Sequence, residues 1–392
     1  MSTLQKEQLG FTAHSDGDWE NRAPVQTRSE RFTSKNLADF PEVTGREVNW
    51  KFTPVRELGA LLTGDLTGGE QPVSITEVDG LQVSMIPMDS ELVGRAGIPE
   101  DQAAANAWGH ASVAQHILLT SPERQTVIVD RSRFTANPTA AHTIIEAAPQ
   151  ANALVIIENS GSANLTENVE IVVGAGANLT VVSIQEWDDE AIHLASHYAT
   201  VGRDANLQHI VVSLGGKIVR VNPSLHLDEQ GANGEGYGAY FADAGQHLEH
   251  QVYIDHNAPH TRSRVAYKGA LQGEGARAVW IGDVLIRRVA TGTDSYEENR
   301  NLTLTEGTRA DSIPNLEIET GDIAGAGHAS TTGRFDEEHI FYLRSRGISE
   351  DEARKLVVRG FLVDVIQRIG NQQIEERLQE AIDAELEQSV LA

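Results

Sequence analysis

From about residue 150 onward the apolar positions fall into short β-branched runs: Leu154–Ile157, Val169–Val173, Leu179–Ile184, His209–Val212 and Lys217–Val221. Each run is long enough for one strand and too short for a helix face. Between them a small polar motif returns, as Ser162-Ala163-Asn164-Leu165, Gly176-Ala177-Asn178-Leu179 and Asp204-Ala205-Asn206-Leu207, and Gly231-Ala232-Asn233 repeats its first half. Its alanines lie 14, 28 and 27 residues apart, and looser echoes at Gly275-Ala276-Arg277-Ala278 and Gly307-Thr308-Arg309-Ala310 lie 32 apart. Corner residues recurring at near-multiples of about 14 predict stacked coils, each strand pairing with its equivalent in the next coil. Gly, Asn and Asp suit the corners. A β-sandwich also spaces strands at roughly 8–12 residues, but it does not require the corner motif itself to repeat. The pattern therefore predicts a mainly β protein with a parallel β-helix core over residues 151–333.

The flanks have a different texture. Residues 1–45 are polar and weakly periodic, the pattern of a flexible arm. Residues 46–150 read as an N-terminal α/β region of helical and mixed elements, beginning where Trp50 and Phe52 concentrate aromatic surface. Its best helix runs over 99–118: Pro99 suits the first turn, Glu100 and Asp101 complement the dipole, and an alanine-rich stretch follows. Thr126–Asp130 reads as a strand. Residues 334–392 form a C-terminal helical domain that caps the solenoid, whose last coil otherwise leaves an open edge. Asp336-Glu337-Glu338 starts its first helix and Gly347 stops it. Ser349 and Glu352 make a capping box for the next, whose apolar face includes Ala353, Leu356, Val357, Phe361, Val365 and Ile369. After Gly370, a narrow stripe of Ile374, Leu378, Ile382 and Leu386 packs on its neighbour or docks a partner, and internal packing is the commoner outcome.

Composition removes whole classes of function. There is no cysteine, hence no disulfide framework, thiolate nucleophile or all-cysteine iron–sulfur ligation within this chain. The 57 Asp and Glu against 31 Lys and Arg, a net charge of −26, oppose a phosphate-tracking nucleic-acid binder and an anionic membrane surface. Met1–Glu20 carries charges throughout, unlike a signal peptide, and no apolar stretch approaches the roughly 18 residues of a membrane span. These features predict a cytoplasmic protein.

Candidate chemistry is sparse. No Walker loop, nucleophile elbow or zinc-protease motif is present. His247, His250, His256 and His260 fall within fourteen residues, beside Glu249 and Asp255. On a helix they would share faces and suit a metal. On a strand, the odd separation of 247 and 250 sends them to opposite sides, and a polar coil edge is then the stronger reading. The adjacent acids Asp188-Asp189 and Glu297-Glu298 are the pairs a carbohydrate-active β-helix enzyme would use. With 57 acids such neighbours arise by chance, and a solvated surface explains them. More informative is 314–361, where His328 sits among Gly, Ala, Ser and Thr at the handover from the last coil to a helix. With no bulky neighbour to bury it, its ring nitrogen is placed to meet a metal or a partner.

This stretch carries a resemblance. Pro314, Leu316-Glu317-Ile318, His328, Gly333, Asp336-Glu337-Glu338, Phe341-Tyr342-Leu343 and Ser345-Arg346-Gly347-Ile348 are similar to the C-terminal signature of the SufB/SufD family of iron–sulfur cluster assembly proteins. Upstream, Trp50–Pro54, His256-Asn257-Ala258-Pro259-His260 and Tyr267-Lys268-Gly269 fit as well, so the likeness spans most of 45–370. It implies a right-handed parallel β-helix flanked by helical regions, in a scaffold subunit that is not an enzyme. It implies a complex in which a SufB-like and a SufD-like subunit pair and a SufC-like ATPase docks on the C-terminal helices, near Phe341, Tyr342, Leu356 and Phe361. His328 then lies at the SufB interface as a ligand to a transient iron or iron–sulfur cluster shared with SufB, with no intrinsic cofactor. His256 and His260 match family positions as secondary candidates. For the chain in isolation, a monomer and a homodimer both stay open. Missing cysteine places the chain on the SufD-like side, because SufB carries the sulfur-accepting thiols. Ala326-Gly327 and Ala329-Ser330 depart from the family's usual residues around the histidine.

Overall fold

The corner motif builds the coils. In the computed structural model, which describes residues 31–334 and 337–388, two short strands, β1 (Thr67–Gly68) and β2 (Ser74–Ile75), precede β3 (Leu81–Pro87). The solenoid strands follow as β4 (Val113–Leu119), β5 (Gln125–Asp130), β6 (Pro138–Ala147), β7 (Asn152–Gly161), β8 (Asn164–Val173), β9 (Asn178–Trp187), β10 (Ile192–Val201) and β11 (Asn206–Ser213). After them come β12 (Ile218–Leu227), β13 (Asn233–Ala242), β14 (His247–His256), β15 (Arg262–Leu271), β16 (Arg277–Ile286), β17 (Thr293–Thr303), β18 (Arg309–Ile318) and β19 (Ile323–Arg334). Even strands from β4 to β18 pair in parallel in one sheet and odd strands from β5 to β19 in the other, giving a solenoid of about eight turns. Ala151, Ala177, Ala205 and Ala232 are buried at successive corners of the odd sheet. The asparagines after them stack in register: Asn206 Nδ2 donates to Asn178 Oδ1 at 2.9 Å, and Asn233 Nδ2 to Asn206 Oδ1 at 3.1 Å. Ala163-Asn164 opens a strand of the other sheet, so the 14-residue spacing is half a turn and the 27- and 28-residue spacings are whole turns. The 32-residue echo is also one turn, since Arg277 pairs with Arg309; the extra length lies in the corners.

The parallel strands already begin ahead of residue 151, with β4 joined to β6 and β5 joined to β7. The helix expected over 99–118 is shorter, Gln102–His110 (α2, after a four-residue α1 at Ala60–Thr63). Asp101 caps it through Ala104 N at 2.9 Å, but beyond Gly109 the run Ala114–Leu119 supplies an edge for β6, and tertiary pairing overrides the helical pattern.

Both outer faces of the solenoid are covered, which is why most strands lack an exposed side. Trp50, Leu58, Leu61, Ala103 and Ala107 pack on the even sheet at Ala140, Leu194 and Ile218. Arg31 fastens this layer near the far end, donating to Glu100 at 2.7 Å and Asp283 at 2.9 Å. The remainder of the arm, residues 1–30, lies outside the described residues. The odd sheet is covered by helices α4 (Glu350–Ile366) and α5 (Gln372–Gln388), which follow α3 (Glu337–Ser345). Ser349 caps α4 through Glu352 N as its sequence predicts. The Ile374, Leu378, Ile382 and Leu386 stripe is buried against Leu154, Val182, Ile210 and Phe241. It is internal packing.

Candidate functional site

The last turn is built like the others but left open. Along β17, Thr293, Ser295, Glu297, Asn299 and Asn301 are buried toward the interior, while Tyr296 and Arg300 face out. β19 stacks on it in register, placing His328 beside Glu297 and Gly327 beside Tyr296. No strand pairs with the other edge of β18 or β19 among the described residues. His328 is 43 % exposed, with Nδ1 3.8 Å from Glu297 Oε1. Ser330 reaches across the coil to Ser312 at 2.8 Å. Gly327 leaves room for its neighbour, since a Cβ there would press on the Tyr296 ring at 3.2 Å. Gly327 therefore accommodates an aromatic ring beside the histidine.

Glu297, expected from the sequence to lie on a solvated acidic surface, is instead buried, because strand parity turns it inward. Its side chain is 1 % exposed and neither carboxylate oxygen has a hydrogen-bond partner. Below it, a side chain at Gly282 would collide with the carboxylate and the Trp280 ring. Burial, reinforced by Asp283, pushes its pKa up to about 8. Its sequence neighbour Glu298 points outward and accepts from Arg300 at 3.0 Å, so the two acids do not form a pair. Asp188 and Asp189 lie at an exposed corner.

The four upstream histidines separate as strand parity requires. His247 contacts Glu249 at 2.9 Å on the outer side of β14. Burial opposes charge on Glu249, but His247 and Arg220 hold its pKa down at about 2. Arg220 donates to Asp101 at 2.6 Å and Glu249 at 3.2 Å beneath the Trp50 ring, and Thr53 Oγ1 donates to Glu249 at 2.8 Å. This cluster clamps the N-terminal layer to the solenoid. His250 points inside, to Ser213 at 3.0 Å, and burial pushes its pKa down to about 3. His256, also inside, meets Thr261 at 2.7 Å and Ser263 at 2.9 Å. His260 sits on an exposed corner at φ 57°. His256 and His260 thus do not share a site, and among the described residues no three His, Asp or Glu side chains gather as a metal-binding group.

Deeper turns hold further buried polar pairs. Arg131 Nη1 donates to both oxygens of Glu167 at 2.7 Å, His193 lies 3.0 Å from the same carboxylate, and His197 is 2.8 Å from His209. These groups have no route to a partner. On the C-terminal helices, Phe341 is 75 % and Tyr342 55 % exposed, with Leu356 less so. Phe361 differs: it is partly buried on the core between solenoid and helices, with Lys268 Nζ 5.4 Å from its ring centre.

Residues 130–361 match the family model described as SUF system FeS cluster assembly, SufBD core domain. A Mycobacterium bovis protein described as an iron–sulfur cluster assembly SufBD family protein is 42 % identical over 391 residues, covering 96 % of this chain and 96 % of its own length. A Mycobacterium leprae protein of the same description is 43 % identical over 376 residues, covering 91 % and 93 %. A second, longer Mycobacterium leprae protein of that description is 31 % identical over 201 residues, 51 % of this chain and 23 % of its own length.

Proposed function

Since the chain belongs to the SufBD family of iron–sulfur cluster assembly proteins, we propose that it serves there as a SufD-like scaffold subunit rather than as an enzyme. Its last turn pairs edge to edge with a SufB-like paralogue. A nascent iron–sulfur cluster forms at that junction as cargo, with His328 offering an imidazole nitrogen to iron. The chain has no cysteine, so the thiolates come from the partner. A SufC-like ATPase docks on the C-terminal helices around Phe341, Tyr342 and Leu356, where aromatic surface stays uncovered. In isolation the same solenoid edge takes a second copy of the chain.

The observation that carries this reading is an uncovered last turn bearing an exposed histidine, in a solenoid whose other faces are packed. Two distinct family proteins in one mycobacterium support a paralogous partner. The test is co-expression with a SufB-like and a SufC-like protein, comparing the native chain with His328→Ala. The variant is expected to assemble the complex but to lose cluster formation, read by visible absorption and bound iron and sulfide. A variant complex that forms cluster at the native rate would remove His328 from the mechanism.

A further inference from the structure

We propose that Glu297 and His328 are two ligands of a single site for a divalent transition metal of the Fe(II) class, built by this chain at the open end of its solenoid. The proposal rests on the reading of His328 as the iron-facing residue and adds a second protein donor to it.

Three observations converge on the pair. The two residues are direct register partners on β17 and β19, so their side chains leave the sheet on the same face. Glu297 is almost wholly buried, yet both of its oxygens are unpartnered. A buried carboxylate without hydrogen bonds is costly and calls for an explanation. Elsewhere in the solenoid the buried carboxylates Glu167, Glu170 and Glu249 each have bonded partners, so this fold ordinarily satisfies such groups. The exception sits beside the one exposed histidine of the last turn.

A divalent cation between the two side chains supplies what the carboxylate lacks. A metal about 2.1 Å from each donor atom is compatible with their 3.8 Å separation, at a ligand–metal–ligand angle of about 130°. Imidazole with carboxylate suits Fe(II), Co(II) or Zn(II) rather than a thiophilic ion such as Cu(I). Two donors from this chain leave positions for water or for a partner's ligand across the unpaired edge. On the opposite wall Gly282 leaves the space the carboxylate occupies, since a Cβ there would collide with Glu297 Oε2 and with the Trp280 ring.

The test is an anaerobic titration of the full chain with Co(II), following its ligand-field absorption, for the native chain, Glu297→Gln, Glu297→Asp, His328→Ala and the Glu297→Gln/His328→Ala pair. Thermal melting of each variant checks the fold. The native chain is expected to bind one Co(II) at this site. Glu297→Gln weakens binding at least as much as loss of an outer-shell partner does, roughly 10–100-fold, and shifts the bands. The aspartate variant binds between the native and glutamine forms, and the paired variant is no weaker than His328→Ala alone. Native affinity and spectrum in Glu297→Gln overturn the proposal while leaving His328's role intact. So does weaker binding with unshifted bands, which would make Glu297 a residue acting through His328. No binding by the native chain above that of the paired variant overturns it as well. Failure of the cluster-assembly reading shows separately, as native cluster formation in the His328→Ala complex.

Discussion

Strands β12 and β18 lie in the same sheet, in the same coil position, and meet opposite fates. β12 is buried almost throughout, with Arg220 enclosed among Asp101, Glu249 and the Trp50 ring. β18 is partly exposed along its whole length, and its arginine, Arg309, reaches Asp311 from a largely solvated position. A coil's sequence pattern alone does not decide this; coverage does. Inner turns are sealed by neighbours at both edges and by layers on both outer faces. The last turn has a strand neighbour at one edge only among the described residues.

The largest expected contrast comes from the two arginines. Arg220→Met strands two buried carboxylates and should cost about 3–5 kcal/mol. Arg309→Met removes a solvated pair and should cost less than about 1 kcal/mol. Denaturant unfolding of both variants measures the difference, and equal costs would mean that the N-terminal layer does not seal β12 in solution.

A smaller, graded contrast is expected with pH. In the inner turns burial holds His197 and His256 at about 4 and His250 at about 3, against an ordinary value near 6.5. The unfolded chain therefore binds protons below about pH 6.5 that the folded chain refuses, and stability falls as pH drops toward 4. Down to about pH 4 each histidine costs the folded chain at most about 3 kcal/mol. Glu297 carries the opposite sign: its raised pKa means stability is fully present below about pH 4.5 and is lost as pH rises through about 8. Glu297's opposite slope runs through about pH 5–7 and is common to both proteins, so the difference between the native chain and His197→Gln, melted between about pH 7 and 5, isolates His197. The substitution should flatten the profile; an unchanged slope would mean that water reaches the His197–His209 pair.

How much of this was legible in the sequence follows the same division. The corner motif announced the solenoid because each alanine must be small enough to be buried and each asparagine must reach its copy one turn on. The Ser349 cap and the Ile374–Leu386 stripe were legible because they obey local rules. The end of α2 was not, because β4 exists only through its partner β6. Phe361 and Leu356 belong to one predicted apolar face, yet only contact with the odd sheet decides which is covered. The exposure of His328 was legible from its small neighbours. Glu297 was hidden by its own kind, one acid among 57, although strand parity from Thr293 places it on the inward face.

The finest probe of the inner–outer contrast is amide hydrogen exchange. In a strand, successive N–H groups point to alternate edges, so half of those in β18 and β19 face β16 and β17 while the other half face no strand. Amides of β10 to β14, paired on both sides, should exchange only through large-scale opening. In the dilute isolated chain, alternate amides of 309–318 and 323–334 should exchange far faster, in a two-residue rhythm. Adding the SufB-like partner should slow that fast set and leave the inner strands unchanged. If the alternation persists in the complex, the partner binds elsewhere. If it is absent from the isolated chain but emerges on dilution, a second copy had occupied the edge. The edge is then a docking surface in both states, and the choice of partner turns on what the partner adds to it: for a paralogue bearing thiolates, the sulfur that this chain lacks.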